Sequence, residues 1–227
     1  GNVNVASLDV RGDTIYLPQA VDTVGLQSYS GNLWLQGDTV LSSTLGQLAL
    51  NGTLQGPYAL SLVAGGPGAY IGATTTIGAL SVSGGVTQLA SNVTTQGDIS
   101  LGRAEVIGNV ALASTGGAVR VAGTLNGSTS DVDSLAITAA GAVDITGNTG
   151  AGIRLRDLSL TGANVSTAAV AVGHDLSISS GTSIVQAGAF EVGGDARFVS
   201  TGNITLTNRG NQFSGDVALS GQNVDIV

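Results

Sequence analysis

"GDISLGRAEVIGNVALASTGGAVRV", residues Gly97 to Val121, states one short phrase three times: glycine, usually a small or polar residue, then apolar–any–apolar, as "GDISL", "GNVAL" and "GAVRV". Alternation of this kind over a few residues, bounded by Gly, Asn and Asp, marks a short half-buried strand between turns. The phrase returns as "GNVNV" at Gly1, "GNLWL" at Gly31, "GQLAL" at Gly46, "GALSV" at Gly78, "GAVDI" at Gly141, "GNITL" at Gly202 and "GDVAL" at Gly215, with "HDLSI" from His174 as a variant. Its first apolar positions recur at one step from Ile99 to Val119, and again from Leu176 to Ala196 to Val217. Further copies fall between, as from Ala196 to Ile204.

A unit of about 20 residues holding two or three strands, with Gly/Asn/Asp turns between them, describes one coil of an all-β solenoid, a parallel β-helix. A propeller blade needs roughly twice that length, and a sandwich has no reason to repeat one phrase so often. At about 4.8 Å per coil, some 11 coils make a rod about 50 Å long. Residues 1–227 read as a single such segment. Leu48 and Leu50, Ile99 and Leu101, Val110 and Leu112, Ile204 and Leu206, and Val217 and Leu219 share one parity. They are expected to stack into inner ladders, each buried side chain contributing about 1.5–3 kcal/mol. Glycines turn the corners, and an Asn or Asp after them can bond neighbouring backbone.

Composition agrees with this architecture. Hydrophobic residues make up 42% of the 227, yet only 4% are aromatic and 36 are glycine. The apolar residues are mostly Val, Leu, Ile and Ala and the polar ones Ser, Thr, Asn and Gly, which suits short strands rather than long helices. The net charge is −8, with every basic residue an arginine. Such a surface repels a phosphate backbone, which disfavours nucleic acid as a partner. No cysteine is present, so packing and backbone hydrogen bonds, rather than disulfides or thiolate metal sites, must hold the fold. No apolar run is long enough for a membrane span, and membrane insertion is not expected. The chain opens directly on "GNVNV", so a targeting segment, if one exists, is expected outside it.

"GAFEVGGDARFVSTGNITLTNRGNQFSGDVALSGQNVDI", Gly188 to Ile226, resembles the repeat region of filamentous-haemagglutinin-like exoproteins of two-partner secretion systems, in which "GNITL", "N-x-F-S-G" and "G-x-V-x-L-S-G" phrases recur. Weaker echoes cover nearly all of the chain. The resemblance implies a right-handed parallel β-helix, export through an outer-membrane transporter, and roles in adhesion, aggregation and biofilm. It also implies a secreted or bacterial cell-surface location. The amino-terminal secretion domain of such exoproteins is not evident, and neither end reads as a polar cap. A segment of a longer rod is therefore expected.

Residues with chemical potential are few. The single histidine, His174, precedes Asp175 at a phrase start, where a corner is expected, and one histidine among many serines does not specify a Ser–His–acid set. With no histidine pair at ligand spacing, the usual zinc motifs are missing, and neither metal nor cofactor is expected. Asp131 and Asp133 in "STSDVDSL" would share a face if extended and could then bind Ca²⁺ or serve acid–base chemistry, but the favoured reading is a polar loop. Arg154 and Arg156 in "GIRLRDL" would likewise share a face and could hold a uronic acid or another carboxylate, against a plain solvent-facing edge. The calcium-binding "GGxGxD" repeat is absent, the nearest string being "GGPGAY" from Gly65. "ATTTIG" holds one isolated run, Thr74 to Thr76, not the repeated array an ice-binding face requires.

The remaining candidate is aromatic. Trp34 in "GNLWLQG" stands between Leu33 and Leu35, and Tyr16 in "GDTIYLP" between Ile15 and Leu17. If the leucines face inward, both rings face outward. Their separation in the chain is close to one coil, which makes them neighbours in one external ladder. Such a strip offers flat apolar faces with polar edges to sugar rings or proteins, unless another segment covers it. The sequence thus points to a rigid stalk of an adhesin, non-enzymatic, whose partners are an exopolysaccharide, a host glycan or like adhesin chains. The alternative is a β-helical carbohydrate-active enzyme, a polysaccharide lyase or hydrolase. Small outward residues at Ser100, Ala111, Ala136, Ser159, Ser177 and Ala218 favour the stalk.

Overall fold

The computed structural model describes residues 2–227, and all regular elements among them are β-strands. Every strand pairing is parallel, each strand lying beside its counterpart one coil away. The chain is a parallel β-solenoid of about 11 turns. The coils are unequal in length: a short step carries Leu89 to its partner Val106, and a long one carries Val110 to Leu135.

The alternating phrase explains three inner ladders. On one strip Val3, Val21, Leu41 and Leu62 stand in register, and so, among themselves, do Leu80, Ile99, Val119, Val143, Val165, Ile184, Ile204 and Val224. A second ladder runs Val110, Leu135, Leu158, Leu176 and Ala196. The third aligns Val170 with Phe190, and Val172 with Val192 and Phe213. Phe190 stacks on Phe198 across the interior with ring centroids 6.0 Å apart, and Phe213 meets Phe198 edge-on at 6.1 Å. Expected inward residues Leu48, Leu50, Ile99, Leu101, Val110, Leu112, Ile204 and Leu206 are all buried. Val217 and Leu219 keep that parity over Ala196 and Phe198, but Val217 is 38% exposed, since among the described residues Val217–Ser220 is paired on one side alone.

Inside the corners the apolar rule gives way to small hydroxyls. Thr23 is in register with Ser43, Thr95 with Ser114, and Ser180 with Ser200, all buried at the ends of inward-facing runs. Ser114 donates to the Gly97 carbonyl at 2.7 Å and accepts the Gly117 N–H at 2.9 Å; Ser43 does the same for Gly25 and Gly46. These hydroxyls satisfy backbone groups that the turn removes from the ladder. Outside the corners, the acids that follow glycine do the expected work: Asp38 accepts the Ala59 N–H at 2.9 Å and Asp98 that of Ala118 at 2.8 Å, each one coil away. Gly52 is required at its corner, since its φ is +101° and a side chain there would strike the Gly31 carbonyl oxygen of the preceding coil.

Candidate functional site

Strands Leu8–Leu17 and Gln27–Leu35 pair with Ile15 opposite Leu33, Tyr16 opposite Trp34 and Leu17 opposite Leu35. Leu33 and Leu35 are buried, whereas Trp34 is 40% and Tyr16 62% exposed. The external aromatic pair is therefore present as read from parity. Gln55 follows Trp34 in register on the next coil. Trp34, Gln55, Pro57, Thr76 and Gln96 line a shallow groove of about 190 Å³. An indole face beside two side-chain amides combines an apolar platform with hydrogen-bonding groups, chemistry suited to a sugar ring. The aromatic on the inner side of the same strand is Tyr29, which is buried in register between Val10 and Leu50.

The two arginines share the outward parity around a fully buried Leu155, but they do not converge. Arg154 is ion-paired with Glu191 two coils away, while Arg156 Nε lies 3.4 Å from its neighbour Asp157. Each guanidinium is committed to a different carboxylate, so they do not form a clamp for a shared anion.

Asp131 and Asp133 lie in a turn rather than a strand, in keeping with the polar-loop reading. Asp131 has φ +59° and is exposed. Asp133 is 2% exposed, and its carboxylate accepts the N–H groups of Gly108 at 2.6 Å, Ser128 at 2.7 Å and Thr129 at 2.7 Å, plus the Ser128 hydroxyl at 2.9 Å. Burial alone would raise its pKa, but these donors together hold it below the usual carboxylate range. The group closes a corner that carries extra residues, flanked by the coil's long steps from Val110 to Leu135 and Val119 to Val143. Three backbone N–H groups and the Ser128 hydroxyl hold this carboxylate as the closure of that corner.

The structure adds a cluster around His174 that the sequence does not signal. Asp157, Asp175, Asp195 and Asp216 each precede the first residue of a strand in the second ladder, and they stack in one column. Asp175 N–H donates to Asp157 at 3.2 Å, Asp195 N–H to Asp175 at 2.8 Å and Asp216 N–H to Asp195 at 2.9 Å. His174 N–H donates to the Arg156 carbonyl at 2.8 Å, which places its imidazole over the preceding coil. There Nδ1 lies 3.0 Å from Asp157 and 3.3 Å from Asp175. Burial would raise the Asp157 carboxyl, but the Asp175 N–H, the His174 ring, the Ser134 hydroxyl and the Arg156 charge outweigh it and lower its pKa. Ser134 donates to Asp157 at 3.1 Å rather than to His174, so the nucleophile–base contact of a hydrolytic triad is not made. A groove of about 310 Å³ floored by Ala111, Ala136 and Ser159 runs up to Asp157.

Residues 155–220 match a family described as repeats of unknown function (DUF5649). The matched stretch carries the whole aspartate column and the Phe190–Phe198 stack. No curated protein and no solved structure matches the chain.

Proposed function

We propose that this chain is the rigid stalk of a secreted or cell-surface bacterial adhesin, and that its exposed Tyr16–Trp34 pair contacts glycan or biofilm matrix. The observation that carries this reading is the exposed aromatic pair, Tyr16 and Trp34, in register on adjacent coils. Outward Ser100, Ala111, Ala136, Ser159, Ser177 and Ala218 are small, as suits a spacer, with Arg120 and Arg197 in register beside three of them. Like adhesin chains and, during export, an outer-membrane transporter are the further partners of this reading. The competing carbohydrate-active enzyme would need acids and bases converging in a cleft. His174, Asp157 and Asp175 do meet beside a groove, but Ser134 does not touch His174, Arg154 and Arg156 are separately paired, and Asp133 closes a corner.

Glycan-array binding of the intact chain, compared with Trp34→Ala and Tyr16→Ala, tests the proposal. Binding that falls in both variants supports it, and binding unchanged in both reduces the segment to a spacer. Hydrolysis or elimination of a polysaccharide that is lost in His174→Ala would favour the enzyme.

A further inference from the structure

From the corner of coils 157–175 we infer a binding site for a divalent cation of borderline softness, Zn²⁺ in type, held by His174 Nδ1 and the carboxylates of Asp157 and Asp175. The three donor atoms lie within 4.8 Å of one another. Two of the separations are 3.0 and 3.3 Å. A tetrahedral ion with ligands at about 2.0–2.2 Å has ligand–ligand edges of roughly 3.3–3.6 Å, so sub-ångström side-chain adjustment brings these donors onto one ion.

Two features give the site more structure than a chance meeting of surface groups. The backbone holds both carboxylates. Asp157 takes the Asp175 N–H and the Ser134 hydroxyl, and Asp175 takes the Asp195 N–H on Oδ1, which turns its Oδ2 toward the imidazole. Partners of this kind orient metal ligands and restrict their motion. The second feature is field. Asp195 and Asp216 extend the column beyond the two ligands at about one coil spacing each, concentrating cations along it; Arg156, 3.4 Å from Asp157, is the opposing charge. An imidazole among the donors selects Zn²⁺-like ions over Ca²⁺ and Mg²⁺, which prefer all-oxygen shells. The side chains of His174, Asp157 and Asp175 are 55%, 36% and 50% exposed. The fourth position therefore opens to water or to a ligand from outside. The site decorates the rod without holding it together.

The chain offers a clean probe, because His174 is its only histidine. Tag-free protein is titrated with ZnCl₂, followed by calorimetry and by the imidazole proton resonances. The expected result is one equivalent bound, with both ring resonances shifting in proportion. His174→Ala should abolish that binding, and Asp175→Asn should weaken it at least about tenfold. Asp195→Asn, which leaves all three ligands in place, should change it far less. Melting curves of the variants should overlay the parent; should a variant unfold, the ring resonances of the parent still decide. Ring resonances that do not move with Zn²⁺, equal binding by His174→Ala, or full displacement of Zn²⁺ by equimolar Ca²⁺ would each overturn the site and leave only a diffuse acidic strip.

Discussion

Trp34 lies opposite Tyr16 in a parallel register that sends both rings to solvent while Leu33 and Ile15, their immediate neighbours, turn toward the core. Truncation of adjacent residues should therefore have very different costs. Leu33 is fully buried, and Leu33→Ala should lose about 2–5 kcal/mol through the cavity it leaves. Trp34→Ala should lose about 1 kcal/mol or less, since the exposed ring fills no interior volume. Paired denaturation curves check this. Equal losses would mean that the indole is a packing element rather than a platform.

Tyr29 supplies the opposite case. It is 1% exposed among aliphatic ladders, its hydroxyl has no hydrogen-bond partner, and burial pushes its pKa far up. A buried hydroxyl without a partner costs about 1–3 kcal/mol relative to water. Tyr29→Phe keeps the ring and removes that cost, so the variant should be more stable by about 1 kcal/mol, with a melting temperature higher by roughly 2–4 °C. A less stable variant would show that the hydroxyl is engaged.

The corner at Asp133 predicts a pH response. Its carboxyl pKa is lower in the folded chain than in the unfolded one, so the stabilisation is complete above the unfolded value near 4 and is lost as pH falls through the folded value. Asp133→Asn sets an amide N–H₂ against backbone donors and should cost about 1–3 kcal/mol at pH 7. The gap between parent and variant should narrow below about pH 4 as the parent protonates. A gap constant from pH 7 to pH 3 would exclude ionised Asp133 as the closure of that corner.

Much of this molecule is legible in its sequence because the repeat is both a strand pattern and a spacing. Parity alone places Leu33 in and Trp34 out, and adding the one-coil interval makes Tyr16 its neighbour. Reading fails where a corner breaks the pattern. Asp131 and Asp133 are legible as a polar loop, but the burial of one of them is not: the turn at Asp131 separates an exposed acid from one buried under four donors. Buried Ser43, Ser114 and Ser180 are similarly hidden, because their burial depends on turns that consume their hydroxyls. A search for a second histidine passes over His174, whose actual partners are Asp175, adjacent in sequence, and Asp157, one short coil earlier. Coil length varies along the rod, as the steps from Leu89 to Val106 and from Val110 to Leu135 show, so that partner becomes identifiable only when the local step is known.

The aspartate column sets two effects against each other, and substitution at Asp195 separates them. Its carboxylate accepts the Asp216 N–H at 2.9 Å, a contribution of about 0.5–1.5 kcal/mol. It also stands one coil from Asp175 and Asp216, about 4.8 Å per step, where like charges repel through solvent. Asp195→Asn keeps a carbonyl oxygen for the N–H and removes the charge, so at low ionic strength it should equal or exceed the parent in stability. Asp195→Ala removes charge and acceptor together and should be the least stable of the three. Salt distinguishes the terms, because screening acts on repulsion and leaves a neutral acceptor nearly untouched. Raising NaCl from about 0.01 to 1 M, which shortens the screening length from about 30 to 3 Å, should stabilise the parent more than Asp195→Asn and close the gap between them. Melting temperatures of the three proteins across that range provide the measurement. If Asp195→Asn is as unstable as Asp195→Ala at every salt concentration, the ionised carboxylate itself is required at the corner and repulsion along the column is negligible.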